Sequence, residues 1–510
     1  MSKLVPEIPT IEEIYPAELG AAQKRRWEHL LAKFEERYGA PADYIARSPG
    51  RVNIIGEHID YMLFSVLPMA VNSDFLLAVR VIPNSNTVTI ANVLEKYPQR
   101  QFQVPAQGEL EIDATQLEWS NYFKSGLRGA LELLRGKGLT PKNVGMEILA
   151  DGNVPSGAGL SSSAAFTCAS ALASLAAMGD GTVDKKELVN LAVVSERYVG
   201  VNSGGMDQSA SVLGVQGSAL YISFHPTLSA TPVAFPKTTP ELTFVIADTL
   251  VTADKHTTGP INYNLRVVEC TLAAQVLAKK LNIGQLPEDA GPLGNSFKGL
   301  MDKYFSAQGE EEIPLDKKLE ELIELTKKYL VKEEGYTREE TAEILDVTVE
   351  ELVQRCMVKF PIQASYFHLR SRALHVLQEA HRVSTFKSLL DSSSASPSSP
   401  TDTFIPTKLG AIMNDSHASC KNLYNCSCPE LDTLCELARS SGSYGSRLTG
   451  AGWGGCSVHL VPQDKVPAVK AAWRKGYYEK KFPGISAEKA DSAIIVSNPG
   501  CGAVLFRVGK

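Results

Sequence analysis

The spacing of apolar residues changes several times along the chain, and each change marks a predicted element. Trp27, Leu30, Leu31 and Phe34 recur at helical spacing within a charged stretch from Ile11 to Tyr38, so a helix with one apolar stripe is expected there. Phe75 to Val81 and Thr87 to Ala91 read as strands, and Val144, Met146, Ile148 and Ala150 alternate as in a strand buried on one face. Helices are predicted from Glu118-Trp119-Ser120-Asn121-Tyr122 to about Leu134, and from Ala164 to Met178, where Gly179 is placed to stop the run. Asp184 followed by Glu187 has the form of a capping box opening a helix to about Tyr198. Ala219 to Phe224, Leu242 to Ala247 and Ser457 to Val461 read as further strands.

Periodicity fades between Pro226 and Pro240, which places a domain break there and divides the chain into residues 1–230 and 231–510. The second part carries a charged helical insertion at about 285–356. It also holds a Ser/Pro-rich segment at about 391–403, expected to be a disordered surface loop.

Composition narrows the function. With 44% apolar and 21% charged residues the chain reads as a globular protein with a sizeable core. A net charge of −6 argues against a nucleic-acid surface. Thr337 to Leu352 has a helix-turn-helix outline, but its second helix carries Glu350 and Glu351 where a DNA reader needs basic residues. No apolar run reaches membrane-spanning length, and Met1 to Glu7 lacks the apolar core of a signal peptide. Nine cysteines read as reduced thiols, so a cytoplasmic location is expected. Cys420, Cys426, Cys428 and Cys435 cluster, but their spacing fits no zinc pattern, and no zinc is expected.

Three glycine-flanked polar stretches carry the candidate chemistry. The first, Arg51-Val52-Asn53-Ile54-Ile55-Gly56-Glu57-His58-Ile59-Asp60-Tyr61, packs four ionisable groups behind a strand-like pair. In the second, Gly157-Ala158-Gly159-Leu160-Ser161-Ser162-Ser163 lies between a strand and a helix. Its glycines let backbone N–H groups approach a ligand, and the helix start adds a positive dipole end and three hydroxyls; that is an anion site, best suited to phosphate. It is not the common P-loop, because no Lys stands between Asp151 and Asp184. The third, Gly200-Val201-Asn202-Ser203-Gly204-Gly205-Met206-Asp207, ends in a carboxylate, and a further glycine turn runs from Leu448 to Cys456.

Together these stretches resemble a known family. The Arg51–Tyr61 stretch closely resembles the galactokinase signature. Asn153 to Ala165 is similar to the ATP loop of the galacto-, homoserine, mevalonate and phosphomevalonate (GHMP) kinase superfamily. Leu448 to Gly455 is similar to that superfamily's third motif. Length, charged insertion and the segment 201–207 look most like the fungal branch. The resemblance implies an α+β, two-domain GHMP kinase fold: an N-terminal mixed α/β domain, and a ferredoxin-like C-terminal domain with the active site between them.

It also implies roles: Asp207 and Arg51 catalytic; Arg51, Glu57, His58, Asp60, Gly205, Asp207 and Tyr263 at the sugar; Trp119, Gly157, Gly159, Ser161, Ser162 and Ser163 at ATP; Ser161, Ser163 and Glu196 on Mg²⁺. The implied reaction is phosphorylation of galactose at its anomeric hydroxyl. Two alternatives share the motifs. One is a catalytically weak galactose and ATP sensor that contacts a transcriptional repressor; the intact serine run disfavours it. The other is an N-acetylgalactosamine kinase.

Overall fold

The computed structural model describes residues 3–116, 118–200, 204–251, 258–395, 399 and 401–509. Val201, Asn202 and Ser203 of the third polar stretch lie outside the described residues. Helix α1 (Ala17–Tyr38) forms where the stripe predicts it. Trp27, Leu30 and Phe34 are buried, Leu31 is half-buried, and Gly39 ends the helix in a left-handed conformation at φ 74°.

The stripe packs on a seven-stranded sheet of order β1-β13-β2-β3-β6-β4-β5. The strands are β1 (Glu7–Ile8), β2 (Tyr44–Ile55), β3 (Leu67–Pro83), β4 (Thr87–Asn92), β5 (Arg100–Gln103), β6 (Val144–Gly152) and, from the far end of the chain, β13 (Val504–Arg507). Ile45, Leu76, Ala78 and Leu149 face α1. Ala46, Leu77, Val79, Met146 and Ile148 face the other way. There they meet α3 (Ser162–Met178) and α5 (Met206–Leu213), with α2 (Asn121–Gly136) and α4 (Lys185–Arg197) packed beside α3. Strand β6 is therefore covered on both faces, not the one its alternation suggested, because α1 buries Leu149 on the second. Each fully buried Leu or Phe contributes roughly 1.5–3 kcal/mol, so covering both faces is a substantial gain.

The division at residue 230 assigned Val504–Arg507 to the second half, yet β13 sits between β1 and β2 and pairs antiparallel with β2 through Val504 opposite Arg47. A four-residue strand, three apolar residues and an arginine, carries no signal of its partner. Within the Pro226–Pro240 stretch, β8 (Ser229–Ala234) pairs with β7 (Ser218–Ser223). Asp184 caps α4 by accepting from Lys186 and Glu187 N–H groups at 2.9 and 3.0 Å. The Glu187 side chain bonds Lys137 at 2.6 Å.

A second, antiparallel sheet has the order β10-β11-β9-β12, from β9 (Leu242–Asp248), β10 (Gly445–Leu448), β11 (Cys456–Pro462) and β12 (Ile494–Ser497). Between β9 and β10 the chain is helical: α6 (Tyr263–Lys280), α7 (Phe297–Gln308), α8 (Leu315–Tyr329), α9 (Arg338–Leu345), α10 (Val349–Cys356), α11 (Leu369–Ala395), α12 (Phe404–Asn422) and α13 (Pro429–Ser440). Helices α9 and α10 each open on a complete capping box, Thr337 with Glu340 and Thr348 with Glu351. The Ser-rich segment was expected to be a loop from residue 391. Instead α11 continues to Ala395, and the Ser392, Ser393 and Ser394 hydroxyls bond back to the Leu389 and Leu390 carbonyls. Residues 396–398 and 400 lie outside the described residues. No helix among the described residues is long and apolar enough to cross a membrane.

Candidate active site

A cleft of about 920 Å³ runs between the two sheets, within the range of small-molecule sites. At one end, β6 feeds the glycine loop into α3. The loop's entry is anchored: Asp74 N–H donates to Asn153 Oδ1 at 2.7 Å, and Arg26 of α1 reaches Asp151 Oδ2 at 2.9 Å and Asp74 Oδ1 at 2.6 Å. Gly159, at φ 76°, lies against the later glycine turn; a Cβ there would sit 3.1 Å from the Thr449 carbonyl oxygen. A Cβ on Gly450 would lie 2.7 Å from the Gly159 carbonyl oxygen. The two turns thus meet backbone to backbone, which only glycine permits.

Ser161 is the N-cap of α3 at φ 57°, and Ser162 and Ser163 open the helix. The Ser161 hydroxyl is buried and has no hydrogen-bond partner among the described residues. Beside the loop stands an aromatic wall. Phe75 stacks on Phe166 at 4.9 Å, and the Trp119 ring lies parallel to Phe166 at 6.0 Å, its indole N–H fixed on the Pro98 carbonyl.

At the other end, Gly205 caps α5 at φ 99°, and Asp207 is the second residue of that helix. Arg51 Nε donates to Asp207 Oδ1 at 2.7 Å, and its Nη1 donates to the Gly159 carbonyl at 2.6 Å. One buried guanidinium therefore joins the Asp207 carboxylate to the glycine loop. Asp60 lines the same pocket, where burial and the Asp207 charge push its carboxyl up to about 7. A Cβ on Gly204 would collide with Asp60, so that glycine gives the carboxylate its room. Tyr263 opens α6 and lines the cleft, with its ring 5.8 Å from those of His58 and Tyr61. Glu196 is buried near the end of α4, where it accepts the Gln208 side-chain amide from α5.

Glu57 and His58 line the cleft too, but their polar atoms are engaged by protein. Glu57 Oε1 accepts from Gly450 N–H at 2.5 Å and Thr449 Oγ1 at 3.3 Å; Oε2 accepts from Asn53 Nδ2 at 2.5 Å and Arg447 Nη1 at 2.7 Å. His58 is held through both ring nitrogens, by Tyr61 Oη and the Ala451 carbonyl, each at 3.0 Å. Both residues therefore tie the first polar stretch to the glycine turn after β10. Sequence reasoning missed Arg447, Asn53, Tyr424 and Phe166. Asn53 stood inside the first stretch and Arg447 just before the last one, but nothing local showed that their partners lay about 390 residues away.

The fold, with a glycine loop on a helix start abutted by a second glycine turn from another sheet, is that of a GHMP kinase. Two family models agree, GHMP kinases N terminal domain over residues 121–215 and GHMP kinases C terminal over 406–479. The stretch holding Arg51, Glu57, His58 and Asp60 falls within a third match, the galactokinase galactose-binding signature, over residues 32–81. The galactokinase of Saccharomyces cerevisiae is 42% identical to this chain, covering 99% of it and 98% of that protein. That of Schizosaccharomyces pombe is 37% identical, covering 99% of both. The galactokinase of Lactococcus lactis, solved complexed with galactose, superimposes with a TM-score of 0.65 at 25% identity, covering 94% of this chain and 99% of that one. The chain belongs to the galactokinase family.

Proposed function

We infer that this chain is a galactokinase, transferring the γ-phosphoryl group of ATP to the anomeric hydroxyl of D-galactose. The observation that carries this reading is Arg51, whose guanidinium bonds Asp207 and the Gly159 carbonyl at 2.7 and 2.6 Å. A phosphoryl group on the loop and a hydroxyl on Asp207 would be separated by that one side chain.

In this account the α3 N–H groups and Ser161–Ser163 hold the phosphates. Trp119 and Phe166 offer the base an aromatic face. Asp60, Gly205, Asp207 and Tyr263 face the sugar, while Glu57 and His58 shape its pocket through the bonds described above. Asp207 orients the anomeric hydroxyl and takes its proton as the bond to phosphorus forms, and Arg51 balances charge on the transferring group. Mg²⁺ fits the donor set of Ser161, Ser163 and Glu196: a buried hydroxyl lacking a partner among the described residues, a second hydroxyl and a buried carboxylate are oxygen ligands suited to a hard dication. When bound, that ion neutralises phosphate charge. The unbroken run Ser161–Ser163 is what favours an enzyme over a sensor that contacts a repressor.

The test is ADP release measured separately with galactose and with N-acetylgalactosamine, with the sugar product identified by phosphorus NMR. Galactose-dependent release with a 1-phosphate product is expected. Release with neither sugar would refute the reading, and a larger kcat/KM for N-acetylgalactosamine would change the substrate.

A further inference from the structure

A chain of hydrogen bonds runs behind the sugar end of the cleft: Cys270 Sγ to Tyr424 Oη at 3.1 Å, Tyr424 Oη to Tyr61 Oη at 2.5 Å, Tyr61 Oη to His58 Nδ1 at 3.0 Å, and His58 Nε2 to the Ala451 carbonyl at 3.0 Å. Its members come from α6, the segment after α12, the turn after β2 and the glycine turn after β10. Its polarity follows from its last member. A carbonyl oxygen only accepts, so His58 Nε2 carries the proton. In the neutral imidazole Nδ1 then accepts, and the Tyr61 hydroxyl donates to it. A phenol has one proton, so the Tyr61 oxygen receives that of Tyr424, and the Tyr424 oxygen receives that of the Cys270 thiol. Burial keeps these donors protonated, pushing both phenols well up and the Cys270 thiol up to about 12.

His58 has a left-handed backbone, φ 63°, which a non-glycine residue holds only where its surroundings over-determine it. Both ring nitrogens and the flanking rings of Tyr424 and Trp453, at 4.8 and 5.8 Å, do so here. We propose that Tyr61 and Tyr424 are positioning residues that, by donating toward Nδ1, reinforce the hold of the Ala451 carbonyl on the Nε2–H tautomer of His58, making the imidazole a strut between the sugar-binding stretch and the glycine turn. The opposite neutral tautomer would set a lone pair against the Ala451 carbonyl and open that strut. Because the turn also lies on Gly159 of the phosphate loop, the strut sets how far the sugar stands from the phosphates.

This deepens the galactokinase reading and rests on it, but its first readout is independent of turnover. Full-length protein labelled with ¹⁵N-histidine should show His58, assigned by its loss in His58→Gln, as the neutral Nε2–H tautomer near neutral pH. In Tyr61→Phe, which keeps the ring, the tautomer signal should shift toward a mixture. The KM for galactose should then rise about tenfold, the scale of one buried hydrogen bond left unmade, while the KM for ATP stays within about twofold. Tyr424 does not line the cleft; Tyr424→Phe should keep the tautomer and raise the galactose KM by about threefold, since only the bond feeding Tyr61 is lost.

An Nδ1–H or charged imidazole in the unmodified protein would overturn the proposal. So would Tyr61→Phe with tautomer and galactose KM unchanged, or a common rise in both KM values with a lower Tm, which marks packing alone. Failure of the unmodified protein to phosphorylate galactose would sink the functional reading and leave the tautomer result standing.

Discussion

At the end of the cleft proposed for the nucleotide one short run, Asn153 to Ser163, supplies the glycines, hydroxyls and helix start, and its chemistry is mostly backbone. At the end proposed for the sugar, Arg51 and Asp60, Asp207, Tyr263 and Arg447 come from four separate places in the chain, and their chemistry is side chain against side chain. Phosphate presents the same tetrahedron to every kinase, so a local motif suffices for it. A hexose must be told from its isomers, which takes polar groups converging from several directions. The two ends should therefore fail differently when altered.

The largest effect is expected where they join. Arg51→Met removes the guanidinium shared by Asp207 and the loop, and kcat should fall by about a hundred- to a thousand-fold, as when a donor facing developing charge is lost. A loss confined to one substrate's KM would show that Arg51 serves one end only. Next comes Asp60→Asn at the sugar end. At about pH 8, above the Asp60 titration, losing a charged acceptor costs about 1.5–3 kcal/mol, so galactose binding should weaken roughly ten- to a hundred-fold with ATP binding retained, as read by calorimetry.

At the nucleotide end, Gly159→Ala places a side chain at φ 76° and 3.1 Å from the Thr449 carbonyl oxygen. A strain of about 1–2 kcal/mol should raise the KM for ATP about tenfold and spare galactose binding. Trp119→Ala should raise it by a similar factor or less, stacking on a base being worth about 1–3 kcal/mol. An equal loss of galactose binding in either variant would break the separation.

The smallest effect is on stability and opposes the functional one. Asp60 titrates at about 7 in the folded chain but near 3.9 when unfolded, so the folded state binds the extra proton between those values. Stability contributed by the protonated form is present below about pH 4 and lost as pH rises through 7. Asp60→Asn abolishes that titration. Its Tm should exceed that of the unaltered chain by a few degrees at about pH 8, with the gap closing toward pH 4.

The same contrast explains what could be read in advance. The glycine loop was legible because β6, the glycines, the serines and α3 follow one another, each with a local cause. Asp207 and Arg51 were found through motif resemblance, and the geometry brings them together. Glu57 and His58 line the cleft, and the bonds that hold them there, to Arg447, Gly450, Tyr61 and Ala451, were not legible. No local pattern announces a partner four hundred residues away. In the fold, α1, α3 and most strands followed from periodicity. The return of β13 to the first sheet did not, nor did the extension of α11 through serines that satisfy themselves on its own carbonyls.

The central claim is that Asp207 faces a sugar hydroxyl across from a phosphate on the serine loop. Asp207→Ala tests it most directly, with galactose-dependent ADP release and nucleotide binding measured on the same preparation. The account predicts release at background and an ATP Kd changed by less than about threefold, a shift under about 0.7 kcal/mol. Near-normal release would contradict it.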